Sequence, residues 1–310
     1  EEEIVDLAEE KRVELHTHSF MSQMDGLVSV KDIIAYAKKI GHKAVAITDH
    51  NSVQAFPDAY NEIKYGKDDF KVIFGCEMVM IEDQIRIINQ SDERLLNDVT
   101  YVVFDFETTG FNAGANDQII EIGAVKMKNG EIIDYFSKLI DPKKPLIPKI
   151  VEITKITDDM LKGCESEEVV VKQFVDWFGN CPLVAHNAKF DVSFLERAYN
   201  IYNLGEFKNT VIDTLELSRA FDSNNTRHSL SALVKRYNIP FSENEHHRAD
   251  YDAKATALVF EKILKKLIDQ NYEKISDLDN LVSEEDIYKF GRSYHVNILC
   301  KNRDGLKNLF

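Results

Sequence analysis

Asp105 and Glu107 stand two residues apart in the apolar run Tyr101-Val-Val-Phe-Asp-Phe-Glu-Thr-Thr-Gly110. Residues at that spacing share one face of a strand. Two carboxylates side by side in such a strand repel each other and lose hydration, a cost that a cation between them removes. Hard oxygen donors point to Mg²⁺ or Mn²⁺ rather than Zn²⁺. The bland alternative is a strand end that merely exposes two acids. A second set lies nearer the start of the chain: His16-Thr-His18, Asp25, His50 and Glu77. His16 and His18 share one strand face and can bind one metal ion, and the group as a whole reads as a polynuclear metal site.

The elements that must carry these residues can be read from periodicity. Arg12–His18 alternates as a strand. Ser29, with Asp32 three residues on, forms a capping box that opens a helix whose apolar stripe is Ile33, Ile34, Ala37 and Ile40, and Gly41 stops it. Lys43–Thr48 is a strand ending at Asp49-His50, a helical pattern covers about residues 53–65, and Phe70–Phe74 is a strand ending at Gly75-Cys-Glu77. This alternation begins a parallel α/β sheet or barrel, with polar residues at the carboxyl ends of successive strands. Residues 81–98 are polar and charged with little period, and read as a connection. A new core starts at Val99. Gln118–Lys128 and Glu131–Ile140 flank Asn129-Gly130, the strongest short hairpin signal. Helices follow at about 166–178, 189–202, 214–221, 230–237 and 249–267, with short strands at Pro182–Ala185 and Asn209–Ile212.

Composition limits the class. The 310 residues are 44% hydrophobic and 29% charged, which fits a soluble globular chain long enough for two cores. A net charge of −15 argues against a passive nucleic-acid coat but not against an enzyme that reaches phosphates through metal ions. Cys76, Cys164, Cys181 and Cys300 are scattered without a CxxC pair and read as reduced thiols of a cytoplasmic protein. Glu1–Asp6 lacks a basic region followed by an apolar run, so no signal peptide is expected, and no apolar run approaches a membrane span.

Two resemblances are carried by these motifs. His16-Thr-His-Ser-Phe-Met-Ser-Gln-Met-Asp25 with Ala46-Ile-Thr-Asp-His50 resembles the polymerase-and-histidinol-phosphatase (PHP) domain, in the version carried by PolC-type replicative DNA polymerases. That resemblance implies a distorted β/α barrel holding up to three metals, Zn²⁺ or Mn²⁺, with His16, His18, Asp25, His50 and Glu77 as ligands. The stretch after Arg292 resembles the next PHP strand and makes His295 a further ligand. Asp105-Phe-Glu107-Thr108, His186-Asn187-x-x-x-Asp191 and His247-x-x-x-x-Asp252 resemble the DEDDh 3′→5′ exonucleases, with Ile120-Glu-Ile-Gly-Ala124 and Asp213-Thr214-Leu215 also similar. Asp250 departs from that pattern, which is expected to carry an uncharged residue there.

The expected architecture is therefore α/β: a ribonuclease-H-like exonuclease domain inserted into an incomplete PHP β/α barrel. Its expected boundaries are 1–83 (PHP), 84–98 (connection), 99–270 (exonuclease), 271–287 (connection) and 288–310 (PHP continued, unfinished at Phe310), a fragment of a larger polymerase. The exonuclease resemblance implies two Mg²⁺ or Mn²⁺ ions held by Asp105, Glu107, Asp191 and Asp252, with His247 as the general base. Thr108, Thr109, Gly110, Asn187 and Arg248 are candidates to meet the substrate. Phe111, Phe190 or Phe194 is a candidate to stack on a base, and Arg227, His228, Lys235, Arg236 and Arg248 to meet phosphates. A solvated basic face is the plainer reading of those cations. The implied partners are DNA with a 3′ end, single-stranded or frayed at a primer terminus, and the rest of a polymerase and its replisome, with no membrane. Two other functions compete: a phosphoesterase centred on His16 and His18, and a non-catalytic replisome module.

Overall fold

The computed structural model describes residues 8–63, 69–81, 86–114, 117–240, 248–283, 285, 287–291 and 293–310. The chain divides into two compact units, one formed by Glu1–Glu82 with Gly291–Phe310 and the other by Asp83–Phe290.

The first unit comprises α1 (Val30–Lys39), β1 (Ala44–Ile47), α2 (Phe56–Asn61) and β2 (Lys71–Ile81), followed much later in the chain by its closing strand and helix. Ser29 caps α1 by accepting the Asp32 N–H. The Asp32 carboxylate takes the Ser29 hydroxyl at 2.6 Å instead of reaching back to the backbone, so the cap is not a full reciprocal box. Gly41, at φ +85°, ends the helix. β1 is buried along its whole length and pairs in parallel with β2. The stretch expected as a strand at Arg12–His18 makes only a bridge, Glu14 with Val45, beside β1. The strand expected to stop at Phe74 runs on through Glu77 to Ile81, because a later segment supplies its hydrogen-bond partner. Helix α2 is shorter than the pattern over 53–65 suggested, and 64–65 lie outside the described residues.

The second unit is built on a five-stranded sheet. Its elements in chain order are β3 (Tyr101–Thr108), β4 (Ile119–Lys128), β5 (Glu131–Leu139), α3 (Pro148–Thr154), α4 (Asp158–Leu161), α5 (Glu167–Phe178), β6 (Leu183–Ala185), α6 (Lys189–Ile201), β7 (Val211–Asp213), α7 (Thr214–Phe221), α8 (Leu230–Arg236), α9 (Ala249–Asp269) and α10 (Ile287–Phe290). The chain then returns to the first unit with β8 (Ser293–Leu299), antiparallel to β2, and α11 (Arg303–Leu309).

Sheet order is β5-β4-β3-β6-β7, with an antiparallel meander on one side and two parallel strands on the other. Asn129 and Gly130 both take positive φ at the β4–β5 turn, the geometry that the Asn-Gly pair favours. Alternation along β3 separates two cores. Val102, Phe104 and Phe106 pack with Phe174 and Phe178 of α5 and Phe194 of α6. Tyr101 and Val103 pack with Phe260 and Ile263 of α9 on the other face. This mixed sheet with helices on both faces is a ribonuclease-H-like fold. The stretch expected to be a plain connection contributes buried Ile87, Ile88 and Leu96 to the α9 core, beside Ile275 and Leu278 from the matching stretch after α9. Sparse apolar residues without a period gave no sign of that burial.

Candidate active site

Asp105 and Glu107 follow Tyr101 and Val103 on the α9 face of β3, where the strand reaches its carboxyl end and a bulge between Glu107 and Thr108 breaks the register. Asp252 comes from the first turn of α9, and carboxylate oxygens of Asp105, Glu107 and Asp252 lie within 4.8 Å of one another. Asp191 sits in the first turn of α6, buried, and its Oδ1 accepts the Phe106 N–H at 3.0 Å. β6 pairs with Val102 and Val103 of β3 and ends at Ala185, so Asp191 takes up a strand N–H beyond that end. His247, the expected base, lies outside the described residues, as does His246.

Gly123 explains how α9 comes so close. It faces Asp105 across the β3–β4 ladder. A Cβ there would fall 2.0 Å from the Ala249 carbonyl carbon and 2.1 Å from the Asp250 nitrogen. Only glycine lets the helix start rest directly on β4. Glu121, two residues earlier, faces Glu107. Its carboxylate accepts Arg248 Nη2 at 2.7 Å, and the Ala249 N–H at 3.0 Å. Arg248 is the N-cap residue of α9 and supplies no side-chain cap of its own, so Glu121 does that work from the neighbouring strand. Glu121 is the site residue that the sequence reading passed over. Its signal was a charge within the apolar run Ile119–Val125, at a place where only a paired carboxylate is tolerated.

The electrostatics follow from this crowding. Burial pushes the Asp105 carboxyl well above the usual range, and the charges of Asp191, Glu107, Asp252 and Glu121 push it further. Burial raises Glu107 to about 9, with Asp252, Glu121 and Asp191 adding to the rise and Arg248 opposing it. Burial likewise lifts Asp191 to about 8, although the Phe106 N–H pulls the other way. Acids that hold protons near neutrality because burial and neighbouring charge disfavour their ionised forms are a donor set suited to hard dications, whose charge replaces those protons.

The candidates for substrate contact are placed as follows. Thr108 donates its hydroxyl to the Gly110 carbonyl at 2.6 Å. Thr109 donates to Asp117 at 3.2 Å and accepts the Gln118 N–H at 3.0 Å. Asn187 takes φ +64°, and its N–H donates to Asp213, which also caps α7. Phe111 is 72% exposed, with its ring centroid 6.5 Å from that of Phe190. Phe194 belongs to the core instead. Arg248, expected to meet substrate, grips Glu121, and Arg236 and His228 are held by Asp222 and by the Asn225 carbonyl with Ser218. Asp250 is exposed.

In the first unit, one carboxylate gathers four rings. Glu77, 3% exposed, accepts from His16 and His295, from His18 at 2.7 Å, and lies 3.4 Å from His50 Nδ1. Asp25 accepts from His18 and from His50 at 3.2 Å. Burial alone would raise Glu77, but the hydrogen bonds from His16, His295 and His18 bring it down to about 2. All six residues proposed as ligands there are thus assembled, in overlapping groups of three with donor atoms within 4.8 Å of one another. Buried Asp49 supports them by accepting the Ser19 N–H at 2.6 Å and the Ser19 and Ser22 hydroxyls, and the Ser22 hydroxyl in turn accepts the His50 N–H. Among the described residues no helix is long and apolar enough to cross a membrane.

Comparison with known proteins places this geometry. Residues 102–260 match the family RNase_T, described as Exonuclease. The chain is 44% identical over 305 residues to DNA polymerase III PolC-type of Staphylococcus haemolyticus, covering 98% of this chain and 21% of the relative. It is 47% identical over 308 residues to the same protein of Listeria innocua, covering 99% of this chain and 21% of the relative. The chain thus spans about a fifth of the length of the curated relatives it matches. A solved structure, Exonuclease X in complex with 5′ overhanging duplex DNA, is similar at a TM-score of 0.45 and 26% identity, over 58% of this chain and 99% of that one.

Proposed function

The chain belongs to the exonuclease family, and from that premise we propose that it removes nucleotides one at a time from the 3′ end of DNA. The observation that carries this reading is the convergence of Asp105, Glu107 and Asp252, with Asp191 adjoining, inside the segment that matches the family. These residues would hold two Mg²⁺ or Mn²⁺ ions, which supply activation of the attacking water and neutralisation of the leaving oxygen. Four carboxylates against two dications leave no net charge to repel the scissile phosphate. His247 takes the proton of the attacking water. The backbone around Thr108–Gly110, held by Asp117 and Gln118, borders the terminal nucleotide, and Asn187 closes the turn that delivers Asp191.

Identity of 44–47% to PolC-type polymerases supports a place in a replicative polymerase, working in the cytoplasm. There the site would edit single-stranded or frayed primer ends. The first unit would be part of a PHP barrel into whose sequence the exonuclease is inserted. The test of the exonuclease reading is stepwise shortening of 5′-labelled single-stranded DNA with Mg²⁺ or Mn²⁺. A parent protein that leaves the strand intact with either ion refutes it.

Phe111 gives a second, sharper test. An aromatic ring so exposed beside the loop Thr108–Gly110 is placed to stack on the terminal base. Stacking is worth about 1–3 kcal/mol per base, so Phe111→Ala should raise KM about tenfold and leave kcat nearly unchanged. Steady-state kinetics on a single-stranded oligonucleotide decide it, and an unchanged KM rejects the contact.

The assembled histidines favour one further reading, that the first unit binds Zn²⁺ or Mn²⁺ and hydrolyses phosphoesters. Phosphatase activity lost in His16→Ala and kept in Asp105→Ala is the expected result. Activity that follows Asp105 instead removes this reading.

A further inference from the structure

Glu121 is a fifth carboxylate at the site, and the four-acid arrangement has no use for its charge. It is 1% exposed and lies opposite Glu107 in the β3–β4 register. Like charges directly opposite on paired strands oppose each other. Its two oxygens are taken: Arg248 Nη2 donates to Oε1 at 2.7 Å, Arg248 Nε lies 3.1 and 3.2 Å from the two oxygens, and the Ala249 N–H donates to Oε2 at 3.0 Å. A two-pronged guanidinium grip of this kind is directional, and the guanidinium does not lose its proton.

We propose that Arg248 is a charge-balancing residue: it cancels Glu121 so that the metal-holding acids alone set the charge of the site, while Glu121 itself, through the Ala249 N–H, seats the first turn of α9 that carries Asp252. The inference rests on the exonuclease reading. Asp105, Glu107, Asp191 and Asp252 balance two dications. Glu121 uncancelled would leave the site with one net negative charge, facing an anionic substrate. Arg248 returns the sum to zero. A direct phosphate contact by Arg248, through N–H groups that the grip on Glu121 does not use, is the competing role, and the double variant separates the two. Glu121 also replaces the missing side-chain cap of α9, and Gly123 leaves room for the helix start beside it. One strand thus supplies both the space and the anchor for Asp252.

The test compares the whole chain with Arg248→Met, with Glu121→Gln, and with the two combined. Two quantities are measured: kcat and KM on 5′-labelled single-stranded DNA with Mn²⁺, and Mn²⁺ affinity by calorimetry without DNA. Arg248→Met should raise KM about tenfold, with the smaller effect on kcat. It should bind Mn²⁺ at least as tightly as the parent, because an uncancelled carboxylate draws cations as it repels DNA. Adding Glu121→Gln should bring both quantities back toward the parent. A double variant as impaired on DNA as Arg248→Met shows that Arg248 acts on the substrate itself, and the inference fails. Mn²⁺ affinity that falls in Arg248→Met and stays low in the double variant shows a merely structural role, and the inference also fails. If the parent protein does not cut DNA, the exonuclease reading falls. The calorimetric pattern then still decides the charge balance: Mn²⁺ binding in Arg248→Met at least as tight as in the parent, and brought back toward the parent by Glu121→Gln, upholds it, and weaker binding in Arg248→Met ends it.

Discussion

Asp105→Asn should cost about 10²–10³-fold in exonuclease turnover, the scale on which loss of one preorganised electrostatic group acts, and it should at the same time stabilise the metal-free protein. The two effects have one cause. Asp105 is held at the centre of like charges, Asp191, Glu107, Asp252 and Glu121, in a setting that burial already makes hostile to an anion. The amide keeps the shape and removes the charge. Relief of about 1 kcal/mol would raise the melting temperature by roughly 2–4 °C in a domain of this size. The pH dependence has a definite sign. Glu107 at about 9 and Asp191 at about 8 bind protons more tightly in the folded protein than in the unfolded chain, where ordinary carboxylate values apply. The folded state therefore carries more protons between about pH 4 and pH 9, and metal-free stability falls as pH rises through that window. Added Mn²⁺ should flatten the fall, because the ions replace the protons. Thermal melts of parent and variant at pH 6 and pH 9, with and without Mn²⁺, check the whole chain of argument. A metal-free parent that gains stability between those two values contradicts it, as does an Asp105→Asn variant that melts below the parent.

What the sequence could disclose depended on whether the deciding interaction was local. The β4–β5 hairpin was legible because Asn129-Gly130 carries its turn geometry in two residues. Asp105 and Glu107 were legible because a strand period of two puts them on one face whatever the rest of the fold does. The helical patterns over about 189–202 and 249–267 put Asp191 and Asp252 near two helix starts, and the structure sets both acids in first turns. Glu121 was not legible as a site residue. Its importance lies in a register partner fourteen positions back and in a helix start more than a hundred positions on, neither of which alternation reports. For the same reason Arg248 read as a free cation ready for phosphate, when its partner is a buried acid on a distant strand. The extent of β2 was misjudged because its second half is held by β8, a strand from the far end of the chain. Ile87, Ile88 and Leu96 pack under α9 through tertiary contacts that a short polar stretch does not advertise.

His247→Ala should lower turnover by about 10²–10⁴-fold, the usual share of general acid–base catalysis. It should leave Mn²⁺ affinity and DNA affinity close to those of the parent, because in the proposed scheme His247 holds neither. Asp252→Ala is the contrast. Its carboxylate lies within 4.8 Å of those of Asp105 and Glu107, so removing it takes a ligand from the cluster, and metal affinity and turnover should fall together. The comparison must be made at saturating Mn²⁺, where a variant that only lost affinity recovers and one that lost its base does not. Acid pH should also slow the parent, since a protonated imidazole cannot accept the proton of water. That fall alone does not identify the base, because protons also compete with metal at Asp105 and Glu107 in the same direction. The pair of variants separates these causes, and His246→Ala supplies the control for the neighbouring ring. Parental turnover in His247→Ala at saturating Mn²⁺, or a collapse confined to His246→Ala, would take the role of base away from His247.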